Sequence, residues 1–131
     1  MTVDIHTHLL HGIDDGPASI EEALELARAF VVQGCARVVS TPHLSDDYPT
    51  AAETIGERAR ELRGALADAE VELEVLTGAE IALVEAIRRP PEGLGTFALG
   101  DSRWLLIELP HVEYPFGIEE LIGRLRRDGY Q

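Results

Sequence analysis

The chain has 131 residues, of which 24 are acidic and 11 are basic, so its formal charge at neutral pH is −13. This charge argues against nucleic acid and anionic membrane surfaces, because both attract basic residues. The length suits one domain with a hydrophobic core, since 45% of the residues are apolar. It is also about half of the ~250 residues typical of a (β/α) barrel. The sequence has a single cysteine, no apolar run long enough to span a membrane and no secretory-signal pattern, so we expect a cytoplasmic protein.

Strand and helix patterns alternate four times along the chain, without a composition break, a repeat or a linker. Apolar and alternating runs predict strands at 3–8, 36–40, 71–77 and 104–109. Helical spacing predicts a first helix from Ile20 to just before Gly34, a second over 51–68, one or two turns at 84–89 and a last helix over 118–125. A capping box formed by Ser19 and Glu22 precedes the first helix. The alternation favours an α/β fold with a parallel sheet and right-handed crossovers. The predicted inner face of the second helix is Ile55, Ala59, Leu62 and Leu66.

Residues that commonly bind metals lie at the carboxyl ends of all four predicted strands. His6 and His8 are two residues apart, so both side chains point to one face of the first strand. His43 follows the second strand, Glu80 follows the third, and Glu108 lies in the fourth. Taken singly, each has an ordinary explanation, such as a solvated loop histidine or an edge-strand glutamate. Because the carboxyl ends of parallel strands meet at one edge, the five together predict a metal site there.

The ligand types indicate the chemistry of this site. Mixed histidine and carboxylate ligands suit Mn²⁺, Fe²⁺ or Zn²⁺. A carboxylate such as Glu80 could bridge two ions, the arrangement used for in-line phosphoryl displacement, so we expect phosphoester hydrolysis by a metal-bound hydroxide. A cysteine phosphatase is excluded, because the position six residues after Cys35 is Thr41 rather than arginine. Neither a Gly-x-Ser-x-Gly elbow nor a Walker loop is present.

Five motifs carry a family resemblance. They are Asp-Ile-His-Thr-His at 4–8, His-Gly-Ile-Asp-Asp-Gly at 11–16, Ser-Thr-Pro-His at 40–43, Gly-Ala-Glu-Ile at 78–81 and Leu-Ile-Glu-Leu-Pro at 106–110. In order and spacing they resemble the polymerase-and-histidinol-phosphatase (PHP) superfamily. Within it, the match is closest to the bacterial manganese-dependent tyrosine-protein phosphatases of capsule and exopolysaccharide operons. The 11–16 loop and the Asp-Ser-Arg stretch at 101–103 are specific to that branch.

The resemblance implies a distorted (β/α)₇ barrel with helices packed outside and a cluster of up to three ions. Residues 1–131 would be the N-terminal portion of one such domain, with about four parallel strands. The cofactor implied is Mn²⁺, with Fe²⁺, Zn²⁺ or Mg²⁺ as alternatives. The implied substrate is phosphotyrosine on the tail of a cognate bacterial tyrosine kinase that controls polysaccharide synthesis. Asp14 and Asp15 would orient groups at the site or lie beside the substrate, with a solvated turn as the alternative. The implied metal ligands are His6, His8, His43, Glu80 and Glu108.

This sequence departs from the family pattern after its fourth strand. The family continues into a fifth strand ending in His-Pro-Glu-Arg, and later into an Asp-x-His motif, neither of which occurs here. We therefore expect half a barrel whose remaining ligands hold one or two ions, with an open sheet edge that a second copy could cover. His111, which follows Pro110, is expected to be a surface loop residue.

Two other functions stay open on the sequence alone. One is a small-molecule phosphoesterase such as a histidinol-phosphate phosphatase, against which the loop at 13–16 weighs. The other is a half-barrel that lacks catalysis and binds a metal or a kinase.

Overall fold

Parallel strands and helices alternate along residues 2–110 and 117–131, the part of the chain that the computed structural model describes. His111 lies outside this part. Every ladder between the described strands is parallel, so the predicted mixed α/β fold is confirmed. The described strands are β1 (Thr2–Thr7), β2 (Cys35–Ser40), β3 (His43–Leu44), β4 (Glu74–Thr77), β5 (Glu80–Ala82) and β6 (Leu106–Glu108). The described helices are α1 (Ile20–Val32), α2 (Ala52–Asp68), α3 (Leu83–Arg88) and α4 (Ile118–Arg127), with short 3₁₀ turns at Pro91–Gly93 and Gly95–Phe97.

The four predicted strands are present, and two short strands that the sequence did not predict, β3 and β5, follow the second and the third of them. The first sheet has the order β1–β2–β4 and the second the order β3–β5–β6. Pro42 separates β2 from β3, since it has no N–H to donate to a ladder. Gly78 and Ala79 separate β4 from β5, and a Cβ at Gly78 would lie 2.8 Å from Leu99 Cδ2. The second and third of these chain segments therefore each contribute one strand to the first sheet (β2 and β4) and one to the second sheet (β3 and β5).

The third and fourth strands begin later in the structure than the sequence predicts, at Glu74 and Leu106 instead of 71 and 104. The N–H of Val71 donates to the carbonyl of Leu66 at 2.9 Å, so this segment is still leaving α2 and the strand begins only at Glu74. The N–H of Leu105 donates to the carbonyl of Gln131 at 2.9 Å. Residues 104 and 105 thus lie outside the β6 ladder, and residue 105 is tied to the end of the chain.

The helix predictions from capping and spacing agree with the structure. The Ser19 hydroxyl accepts the N–H of Glu22 at 3.3 Å, and the Glu22 carboxylate accepts the N–H of Ala18 at 2.8 Å. The first bond satisfies an N–H group that the first turn of α1 leaves free, and the second holds the residue before the cap against that turn. The buried residues of α2 are the four predicted for its inner face, Ile55, Ala59, Leu62 and Leu66.

The core lies between the sheets and the helices, while apolar side chains on β1 and just after β6 are exposed. Leu9, Leu44 and Ile81 are fully buried. In contrast, Val3 and Ile5 on β1 are more than half exposed, and Leu109 after β6 is also exposed. Within the described residues, β1 and β6 each pair with one strand only. No helix in this part of the chain combines the length and apolar character needed to cross a membrane.

Candidate metal centre

The predicted ligand residues lie at one rim, at the carboxyl ends of β1 and β6 and at the starts of β3 and β5. His6 lies near the end of β1, and His8 follows the strand. His43 and Glu80 are the first residues of β3 and β5 and are register partners in that ladder. Glu108 ends β6, opposite the last residue of β5. The strand breaks at Pro42 and Gly78 thus come directly before two of the candidate ligands.

One carboxylate oxygen lies at the middle of this group. Glu80 Oε2 is 3.2 Å from His6 Nε2, 3.1 Å from His8 Nε2 and 3.4 Å from His43 Nδ1. Glu80 is buried, whereas the His6 side chain is about half exposed. A buried carboxylate is costly to desolvate unless hydrogen bonds, opposite charges or a cation surround it. Three imidazole nitrogens and one carboxylate therefore form a donor set that suits a divalent ion of the Mn²⁺, Fe²⁺ or Zn²⁺ type.

Glu108 and Asp15 occupy the margins of the group. Glu108 Oε2 is 3.8 Å from His43 Nδ1, farther than the oxygen of Glu80. Asp15 Oδ1 is 3.3 Å from His8 Nδ1 and 3.6 Å from His43 Nε2. The donor atoms of His8, Asp15 and His43 all lie within 4.8 Å of one another, as do those of His6, His8 and Glu80. Asp15 is thus a second carboxylate within reach of an ion, a role that the sequence reasoning did not separate from that of Asp14.

Asp14 holds the His8 ring and two backbone segments in place. Its carboxylate is fully buried, and Oδ2 lies 2.8 Å from His8 Nδ1. The same oxygen accepts the backbone N–H of His43 at 2.9 Å, and Oδ1 accepts the N–H of Gly16 at 3.0 Å. Only glycine fits at position 16, since a Cβ there would lie 2.7 Å from the carbonyl oxygen of His8. Asp14 therefore fixes the His8 ring so that Nε2 faces Glu80.

These contacts change the proton affinity of His8. The hydrogen bond to Asp14 raises the pKa of His8 to about 9, and the charges of Asp14, Glu80 and Asp15 add to the rise against the opposing effect of burial. Burial works to raise the pKa of Asp14, but hydrogen bonds from His8, His43 and Gly16 outweigh it and lower that pKa. Without a cation, His8 is thus protonated at neutral pH, and an ion at Nε2 would take the place of that proton.

The loop after β1 is fastened to the rest of the fold by two polar residues. The buried hydroxyl of Ser40 accepts the N–H groups of Leu9 at 3.1 Å and Leu10 at 3.3 Å. Further along, His11 Nε2 is 3.1 Å from a carboxylate oxygen of Glu61 on α2. The loop that carries both aspartates is therefore held at its start and in its middle.

Tyr48 also contacts the group, and the sequence reasoning missed it. Its ring lies nearly parallel to that of His43, with centroids 5.5 Å apart and planes at 13°. His43 in turn meets His8 edge to face, with centroids 4.5 Å apart. A tyrosine five residues after a candidate ligand carries no periodicity, so only the closeness of the two residues in sequence could have drawn attention to it.

The structure thus defines a class of protein: a mixed α/β domain with parallel strands and a histidine–carboxylate cluster at the strand ends. The chain belongs to the CpsB/CapC family of capsular polysaccharide synthesis, whose model matches residues 2–131.

Named relatives resemble this chain over almost its whole length. It is 32% identical over 129 residues to the tyrosine-protein phosphatase YwqE of Bacillus subtilis (strain 168), a match that covers 98% of this chain and 51% of the relative. It is 33% identical to the putative tyrosine-protein phosphatase CapC of Staphylococcus aureus, with the same coverage. A solved structure from work on YwqE of B. subtilis and CpsB of Streptococcus pneumoniae, described as unique metal-dependent tyrosine phosphatases, superposes with a TM-score of 0.89 at 30% identity. That match covers 98% of this chain and 53% of the solved one. The chain therefore spans about half the length of the curated relatives it matches.

Proposed function

We propose that this chain is part of a metal-dependent protein-tyrosine phosphatase that acts in capsular or exopolysaccharide synthesis. The observation that carries the proposal is the position of Glu80 Oε2, which lies within 3.4 Å of nitrogen atoms of His6, His8 and His43. The naming of the relatives as tyrosine-protein phosphatases supports the choice of substrate. The substrate we propose is phosphotyrosine on the tail of a bacterial tyrosine kinase, in the cytoplasm.

The residues of the rim would have the following roles. His6, His8, His43, Glu80 and Glu108 would hold the cations, with Mn²⁺ as the proposed ion. Divalent ions at such a site supply a Lewis acid for the phosphoryl oxygens and lower the pKa of water. Asp14 keeps His8 and the loop in position through its three hydrogen bonds.

Asp15 has a different part in this proposal. Its side chain is 62% exposed and faces both His8 and His43. It is therefore the carboxylate best placed to contact either a further ion or the incoming substrate.

We further propose that the described part of the chain is the N-terminal portion of a PHP-type (β/α)₇ barrel. Apolar side chains are exposed on the edge strand β1 (Val3 and Ile5) and just after the edge strand β6 (Leu109), as expected where further strands and helices pack. The match to about half of each curated relative supports the same view.

Metal binding and hydrolysis can be tested with a matched pair of glutamate variants. Glu80→Gln keeps the size of the side chain but removes the charge at the centre of the cluster. Glu74→Gln, on the exposed face of β4, is the control. We expect the wild-type and Glu74→Gln proteins to bind Mn²⁺ and to hydrolyse a phosphotyrosine peptide, and Glu80→Gln to lose at least tenfold in Mn²⁺ affinity, as removal of a ligand charge predicts. Equal Mn²⁺ binding by all three proteins would disprove the proposed site.

A second candidate is a metal-binding half-barrel without catalysis. It is favoured by the donor set itself, in which Glu80 Oε2 lies within 3.4 Å of three imidazole nitrogens, because these side chains alone are enough to bind a divalent ion. Tight Mn²⁺ binding without hydrolysis of any phosphate monoester would support this candidate over the phosphatase.

A further inference from the structure

A cleft of about 280 Å³ has Tyr48 in its lining, and the Tyr48 ring stacks on His43 of the histidine cluster. The cleft is lined by Gly12 and Ile13 in the loop after β1, by Tyr48 and Pro49 after β3 and by Thr54 of α2, among others. An apolar cavity of roughly 150 Å³ is enough to hold a benzene molecule. The cleft is therefore large enough for one aromatic ring.

Tyr48 connects this cleft to the candidate metal centre. The side chain lines the cleft, and its ring also lies against the ring of His43 in an offset, nearly parallel stack. His43 Nδ1 is 3.4 Å from Glu80 Oε2, the central oxygen of the cluster. Tyr48 therefore links the cleft to the cluster.

The residues that line the cleft suit a ring better than a phosphate. None of the described lining residues is basic, and Asp47 adds a carboxylate. A phosphoryl group would be repelled by that charge, whereas cations held at the cluster would attract it. The side chains of Ile13, Tyr48 and Pro49 instead offer apolar and aromatic surface.

The loop that carries Tyr48 is fixed by its own hydrogen bonds. The N–H of Tyr48 donates to the Ser45 hydroxyl at 3.2 Å, and the N–H groups of Ser45 and Thr50 donate to the Tyr48 carbonyl at 3.0 and 2.7 Å. Asp46 in the same loop pairs with Arg88 of α3 at 2.8 Å. The backbone on either side of Tyr48 is thus ordered before any ligand arrives, which lowers the entropic cost of binding.

We infer that this cleft is the subsite for the phenyl ring of phosphotyrosine, and that Tyr48 is the residue that selects aryl over alkyl phosphates. The inference rests on the proposed function and adds to it a specificity-determining residue. In this arrangement the phosphate of the substrate lies at the cluster, and its ring lies between Ile13 and Tyr48.

Two non-hydrolysable ligands separate the ring from the phosphate. Phenylphosphonate and methylphosphonate are titrated by calorimetry into the Mn²⁺-loaded protein. We expect the phenyl ligand to bind about three- to tenfold more tightly, the range that one aromatic pair provides. Tyr48→Ala should remove this preference and Tyr48→Phe should keep it. Trp104→Ala is the control, because that exposed aromatic residue lies before β6, at the opposite end of the strand from Glu108.

The outcomes distinguish this inference from a structural role for Tyr48. If Tyr48→Ala weakens both ligands equally, or lowers only the affinity for Mn²⁺, Tyr48 merely orients His43 and the inference is overturned. Equal affinity of the unaltered protein for the two ligands, or no binding of phenylphosphonate, overturns it as well. Failure of the proposed function has another signature: the phenyl preference and its dependence on Tyr48 are present, but the Mn²⁺-loaded protein does not hydrolyse a phosphotyrosine peptide.

Discussion

Replacing Asp14 with asparagine should destabilise the metal-free protein far more than the same change at its neighbour Asp15. The Asp14 carboxylate is an acceptor for three groups, His8 Nδ1 and the backbone N–H groups of His43 and Gly16. An amide has one oxygen, so its NH₂ group must face at least one of these donors.

The size of the effect follows from the burial and the number of contacts. A hydrogen bond to a charged group contributes about 1.5–3 kcal/mol, and a buried donor left without a partner costs about 1–3 kcal/mol. Since the Asp14 side chain is fully buried, we expect Asp14→Asn to lower the free energy of unfolding by about 2–4 kcal/mol. Asp15 is 62% exposed, so Asp15→Asn should change it by less than about 1 kcal/mol.

Urea unfolding followed by circular dichroism, with a chelator present, measures both variants. The reasoning fails if the two variants lose stability equally, or if Asp14→Asn loses less than about 1 kcal/mol. A nuclear magnetic resonance titration adds an independent check. In Asp14→Asn, the pKa of His8 should fall from about 9 towards its ordinary value of 6.5, because the hydrogen bond to the carboxylate is the main cause of the rise.

The stability difference between wild type and Asp14→Asn should also depend on pH. His8 has a raised pKa when folded, so its contribution is complete below pH 6.5 and is lost as the pH rises through about 9. Asp14 has a lowered pKa, so its contribution is present above pH 3.8 and is lost as the pH falls through the lower folded value. The difference should therefore be largest between pH 3.8 and 6.5 and should shrink on both sides. A difference that is constant from pH 4 to 10 would contradict the assignment of this ion pair.

Two further predictions concern the glycine loop and the protons of the site. Gly16→Ala should destabilise the protein by about 1–3 kcal/mol and weaken Mn²⁺ binding, because its Cβ would clash with the His8 carbonyl. The control is Gly56→Ala, within α2, where a Cβ would have open space; it should raise the free energy of unfolding by about 0.5–1 kcal/mol. Chemical denaturation measures both variants, and similar effects of the two changes would refute the steric argument. Binding of Mn²⁺ should release more protons at pH 7 than at pH 9, because His8 carries a proton at pH 7 that the ion must displace. Calorimetry in buffers of different ionisation enthalpy counts these protons, and equal release at the two pH values would count against the raised pKa of His8.

The sequence predicted those features of the fold that depend on local periodicity. The buried face of α2 and the cap of α1 follow from 3.6-residue spacing and from the chemistry of Ser19 and Glu22. Local periodicity did not predict the short strands β3 and β5. The pattern indicated the stop at Pro42, but the resumption at His43 depends on pairing with β5, which is a tertiary contact.

The candidate site was predictable in composition and unpredictable in arrangement. The spacing of His6 and His8 and the rule for strand ends predicted that these side chains lie together at one rim, and in the structure they do. The sequence could not show that Glu80 lies closer to His43 than Glu108 does, at 3.4 Å against 3.8 Å. These distances depend on how the strands pair in the folded chain. Nor could the sequence separate the buried Asp14 from the exposed Asp15, since neighbouring aspartates in a loop have no periodicity.

The two-residue strand β3 has a consequence for how the domain assembles. Its ladder with β5 has only two register pairs, and one of them is His43 with Glu80. An ion bound by both side chains would therefore lock the alignment of the shortest ladder, joining segments that are distant in sequence. Such non-local pairings form late and slowly. A cation present during refolding should therefore stabilise the correct alignment of β3 with β5 and reduce the population of misaligned, aggregation-prone forms.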